Sequence, residues 1–141
     1  MDYLILKNEI TLNPKSLGYS EHVLTGNDGA IAEILNTVGV SSETVPKEVV
    51  NSVEIVNALI YSEWVALTAD QKHYLDTIIS AGQVDPANGN IKTAFGTIFG
   101  AGTATRTNLN AIGIRPASRA EILFGRGASV SSIDVAIALR G

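Results

Sequence analysis

Two histidines, His22 and His73, are the only imidazoles in the chain, and there is no cysteine. The missing thiols exclude disulfides, thiolate nucleophiles and cysteine-based zinc or iron–sulfur sites together. His73 has Asp70 at i−3 and Asp76 at i+3. On a helix that spacing reads as a solvated polar face, because no second imidazole completes a metal-ligand set. A Ser-His-Asp hydrolase needs a nucleophile on a strained strand-to-helix turn, and no Gly-x-Ser-x-Gly occurs. The acid pairs Glu21 with Asp28 and Asp70 with Asp76 lack the apolar surroundings that would raise one carboxyl for general acid work. Phe99-Gly100-Ala101-Gly102-Thr103 superficially suggests a phosphate loop. No lysine follows it and a helical pattern precedes it, so two helices meeting at a tight turn is the better reading. The helix start at Thr103 still has backbone N–H groups able to hold an anion. No catalytic, cofactor-binding or metal-ligating residue is therefore expected.

Arg115, Arg119 and Arg126 form the chain's one basic cluster, with Phe124 as the only aromatic among them. They raise nucleic-acid binding as a second reading, although readers of nucleic acid carry more excess positive charge than this. Tyr61 and Trp64, on either side of Glu63, suit a core or interface anchor better than a ligand box. With Arg106, these six residues (Tyr61, Trp64, Arg106, Arg115, Arg119 and Arg126) are the candidate interface positions.

Charge is unevenly distributed along the 141 residues. From Lys92 onward six basic residues face two acids, a net of +4, whereas residues 1–90 hold four lysines against twelve acids, a net of −8. Opposite-sign halves suit head-to-tail packing of copies, or equally two solvated faces of one domain. The composition is 45% apolar and 17% charged, with a mean hydropathy of +0.21. That is too apolar for disorder, and mildly favours an oligomer. The first ten residues lack the basic start of a signal peptide, and no stretch approaches the roughly 20 apolar residues of a membrane span. Both features suit a protein made in the cytoplasm and not placed in a membrane.

The elements that would position these residues read as short helices. Asp2 caps a helix to Leu12, stopped by Asn13-Pro14, with Leu4, Ile5, Asn8, Glu9 and Leu12 at helical spacings. Pro14 to Tyr19 is turn-like. Asn27 to Gly29 opens a second helix with Ile31, Ile34, Leu35 and Val38 as its stripe, closed by Gly39. Val40 to Val50 is a loop with a short extended piece at Thr44 to Pro46. Ser52 caps Val53 to Ile60, with Val53, Val56, Asn57 and Ile60 on one face, and a turn of helix follows to Leu67. Thr68 and Gln71 form a capping box for a helix to Ala81, with Tyr74, Leu75, Ile78 and Ile79 inward. Asp85 to Asn90 is a surface turn. Ile91 to Phe99, a helix from Thr103 to Gly113, a Ser118–Glu121 capping box and a last helix with Val130, Ile133, Ala136 and Ile137 inward complete the chain. The reading is an all-α fold, a compact single domain over 1–141 of about seven short helices, with 85–90 as the one place it could divide.

These residues also carry a resemblance. Leu6-Lys7-Asn8-Glu9-Ile10, then Asn13-Pro14, Leu17-Gly18-Tyr19 and a helix ending Ile34-Leu35-Asn36, resemble a recurrent opening in small tailed-bacteriophage proteins. Glu63-Trp64-Val65-Ala66-Leu67-Thr68, Phe99-Gly100-Ala101-Gly102-Thr103 through Thr105-Arg106-Thr107-Asn108-Leu109, and Ser118-Arg119-Ala120-Glu121 are similar to later parts of that family, in order. Ser20 to Gly29 departs from it, being longer and more polar than the compact turn found there. The resemblance implies a virion structural or assembly protein, at the head–tail connector (neck) or in the tail. Its expected partners are other virion proteins and copies of itself in a symmetric assembly, with no cofactor. The second reading is a small regulatory module contacting host protein or nucleic acid.

Overall fold

A computed structural model describes all residues 1–141. The chain is mostly helical, about 60%, with ten helices and about 7% strand. It is thus neither purely α nor limited to about seven helices. Its contacts divide into two compact units, Met1–Val45 with Pro116–Gly141, and Pro46–Arg115. The divisions fall at 45/46 and 115/116, and the turn at 85–90 lies inside the second unit. Each crossing lies within a short strand, β1 (Thr44–Pro46) and β4 (Ile114–Pro116). No helix is long and apolar enough to cross a membrane.

The first unit contains α1 (Tyr3–Leu12), α2 (Tyr19–Thr25), α3 (Asp28–Asn36), α9 (Arg119–Phe124) and α10 (Ser132–Arg140). Asp2 caps α1 by accepting from the Leu4 and Ile5 N–H groups. Asn13 ends it in a left-handed conformation, which asparagine tolerates better than most residues with a Cβ. Helix α2 falls where the sequence reads as a turn and a polar stretch. It sends a single side chain, Tyr19, into the core, so it leaves no apolar stripe to detect. Gly18 enters it at φ +82, a conformation that costs a residue with a Cβ. Leu6, Ile10, Tyr19, Ile31, Leu35 and Val135 form the core of this unit. The Asn36 amide exchanges two hydrogen bonds with the backbone of Val130, tying the end of α3 to the approach to α10.

The second unit contains β2 (Val50–Asn51), α4 (Ser52–Ala58), α5 (Tyr61–Val65), α6 (Ala69–Ser80), β3 (Gln83–Val84), α7 (Gly89–Ile98) and α8 (Ala104–Ile112). Strands β2 and β3 pair antiparallel, Val50 opposite Val84 and Asn51 opposite Gln83. The Thr68–Gln71 and Ser118–Glu121 capping boxes form as expected, and two more start α4 (Asn51–Glu54) and α10 (Ser131–Asp134). Asn51, not Ser52, caps α4. Ile55, Leu75, Ile78, Phe99 and Leu109 make the core here.

Three helices bury a different face from the one their periodicity suggests. In α1 the buried residues are Leu6, Glu9 and Ile10; only Glu9 belongs to the face read from the spacing, and Leu4, Ile5 and Leu12 are exposed. In α4 they are Ile55 and Ala58, with Val53 and Val56 outside. In α10 they are Val135 and Ala138, with Ile133 and Ile137 outside. A helix of seven to ten residues with apolar side chains on both faces offers two stripes of similar quality. Only the neighbouring elements choose between them.

Candidate interaction surfaces

The candidate arginines do not form one basic face. Arg119, the first residue of α9, is buried at 7% exposure. Its Nε and Nη2 donate to the two carboxylate oxygens of Glu9 at 2.8 and 3.0 Å, and Nη1 to Glu43 at 2.6 Å. Tyr19 donates its hydroxyl to the same Glu9 at 3.2 Å. The Glu9 bond raises the Arg119 pKa further, and burial, followed by the Glu9 charge, pushes the Tyr19 phenol well above its ordinary value. Arg119 is therefore corrected from an interface candidate to the centre of an internal ion cluster. A guanidinium whose fork is filled by carboxylates has no geometry left for a phosphate or a partner.

Other basic residues of the C-terminal part are also engaged within the chain. Arg115 pairs with Glu48, its Nε donating at 3.1 Å. Arg140 pairs with Asp28, whose carboxyl is held below its usual range by that bond. Arg106 Nη1 reaches back to the carbonyls of Gly96 and Phe99 at the end of α7, at 3.4 and 3.3 Å, where a cation suits the helix dipole. Arg126 also has a partner within the chain. Much of the asymmetry between an acidic front and a basic back is thus resolved inside the chain. Arg115, Arg119 and Arg140 each take acids from the first 90 residues.

The start of α8, singled out above for its free N–H groups, is occupied by a side chain of the same unit. The Glu63 carboxylate accepts from the Ala104 and Thr105 N–H groups at 2.9 and 2.7 Å, while Thr103 caps the Arg106 N–H. Hydrogen bonding to Thr105 and the backbone holds Glu63 below the ordinary carboxylate range. A group whose folded pKa is depressed contributes stability above its unfolded pKa, and that contribution disappears as pH falls through the folded value. Glu63→Gln is expected to lower the melting temperature at pH 7 and to differ less from the native protein at about pH 3. Thermal unfolding followed by Trp64 fluorescence checks this. An equal difference at both pH values would mean that the carboxylate charge is not what holds α8.

Tyr61 and Trp64 sit on α5 with ring centroids 6.3 Å apart and an interplanar angle of 27°. Lys72 Nζ lies 4.6 Å from the Trp64 ring centre, within cation–π range. Trp64 packs against the core of the second unit and is half-buried, whereas Tyr61 is 78% exposed. Of the two aromatic candidates, Tyr61 is the one presented to solvent. His73, Asp70 and Asp76 lie exposed on α6.

The exposed apolar side chains are the most extensive surface feature. Leu4, Ile5 and Leu12 on α1, Val23 and Leu24 on α2, and Ile133 and Ile137 on α10 stand out from the first unit. Val49 before β2, Val53 and Val56 on α4, and Tyr61 and Val65 on α5 stand out from the second. Sequence periodicity marks Leu4, Ile5, Leu12, Val53, Val56, Ile133 and Ile137 only as helix stripes, and passes over Val23, Leu24, Val49 and Val65. It missed Glu9, Glu43 and Tyr19 as a cluster, because three residues from separate segments leave no local spacing to read.

No protein-family model, curated protein or solved structure matches this chain.

Proposed function

We propose that this chain is a structural component of a tailed-phage virion, a head–tail connector (neck) or tail protein that acts through protein–protein packing. The observation that carries this reading is the display of large aliphatic and aromatic side chains on α1, α4, α5 and α10. Isolated exposed apolar residues are ordinary, but rows of them along several helices of one small chain suit a surface covered in an assembly. The resemblance of the sequence to small tailed-phage proteins supports the same reading. Repetition around a symmetry axis multiplies modest contacts, so a small helical chain can serve without a large single interface.

Because several arginines are paired internally, association is expected to rest on apolar contact and to weaken only slightly between low and high salt. Sedimentation velocity at the two salt concentrations checks this, and a collapse to monomer at high salt would restore the electrostatic alternative. The deciding measurement for the proposal as a whole is quantitative mass spectrometry of purified virions. Absence of the chain from the particle rejects the proposal.

A further inference from the structure

We propose that copies of this chain join head to tail by seating Leu24 of one copy in a cavity of the second unit of the next, an inference that rests on the assembly role above. Leu24, in the last turn of α2, is 87% exposed, with Val23 beside it also exposed. Glu21, one turn earlier and so on the same face as Leu24, is exposed as well. The first unit thus presents an apolar knob with a carboxylate at its edge.

The second unit presents the complementary shape and charge. A half-open cavity of about 320 Å³ has Val50, Ile55, Phe95 and Leu109 among its apolar lining. Lys92 and Arg106 also line it, and no acidic residue does. Lys92 is exposed, and Arg106 is steadied by its bonds to the end of α7. The volume lies at the low end of the range for small-ligand pockets, about 300–1,000 Å³, and suits a pair of aliphatic side chains such as Leu24 and Val23. An apolar knob flanked by a carboxylate fits an apolar cavity flanked by an ammonium and a guanidinium.

The knob and the cavity are different surfaces of one chain, so the contact is heterologous. Each copy that receives a knob still offers its own, and the pattern repeats until it closes as a ring or extends as a filament. The apolar seat supplies the attraction, and the Glu21–Lys92 edge sets the orientation.

The absence of cysteine makes the test clean. One preparation carries Glu21→Cys and a second Lys92→Cys, both at exposed positions that leave the cores untouched. Mixed under mild oxidation, they are expected to give a disulfide-linked pair containing one of each, with much less cross-linking in either alone. Leu24→Asp is expected to weaken self-association at least about tenfold by sedimentation, in keeping with loss of a central anchor. Glu21→Lys is expected to weaken it as well, and adding Lys92→Glu to restore it. If the native protein assembles, but Leu24→Asp assembles equally well and no mixed cross-link forms, the seat is wrong while the assembly role stands. If the native protein stays monomeric at every concentration, both fail.

Discussion

Replacing Arg119 with methionine is expected to destabilise the first unit by about 3–5 kcal/mol. The side chain is buried, and it satisfies both oxygens of Glu9 and one of Glu43. Removing it leaves the Glu9 carboxylate buried and facing only the Tyr19 hydroxyl. That uncompensated charge, more than the lost attraction, sets the size of the effect, since an intact buried ion pair gains little over apolar side chains of similar shape. The double variant Glu9→Leu with Arg119→Met is therefore expected to recover most of the loss. Glu43 is only partly buried and has Lys15 at 4.0 Å, so it keeps a cationic partner without Arg119. Hydrogen exchange of the α1 and α10 amides reports the first unit, and Trp64 fluorescence reports the second. A loss below about 1 kcal/mol would place the pair among solvated surface bridges.

The second large effect comes from a matched pair on α1. Leu6 is fully buried and Leu4, two residues away, is 67% exposed. Leu6→Ala is expected to cost about 2–5 kcal/mol, through lost burial and the cavity left in the core of the first unit. Leu4→Ala is expected to stay within about 0.5 kcal/mol, as surface changes do. Urea denaturation of the two variants decides which face of α1 is core. If Leu4→Ala proves as costly as Leu6→Ala, the exposed row is covered within the chain, and the argument for an assembly surface weakens with it.

These two experiments probe different layers of the same design. The Glu9–Arg119 cluster ties α1 to α9 across 110 positions of sequence. Leu6 contributes apolar burial to the core beside it. The residues left outside, from Leu4 to Ile137, are large and apolar without supporting that core.

Much of the local structure was legible in the residues themselves. Asp2, Asn27, Thr68, Thr103 and Ser118 each cap the helix they announce, because a side-chain oxygen next to unpaired backbone N–H groups acts within a few residues. The Asn13-Pro14 stop, the turn that begins at Asp85 and the extended piece at Thr44 to Pro46 are likewise local and readable, although Gly89 and Asn90 already belong to α7. What the tertiary structure decided was everything that depends on a distant partner. It buried Leu6, Ile55 and Val135 and left Leu4, Val53 and Ile133 in solvent, although both sets have helical spacing. It turned Arg119 from an expected surface cation into the centre of a buried cluster, and drew basic residues of the last third onto acids of the first ninety. Capping and turn energies act along the chain, whereas burial and charge pairing act through space. A run of residues carries the first kind of information, and only the packed fold carries the second.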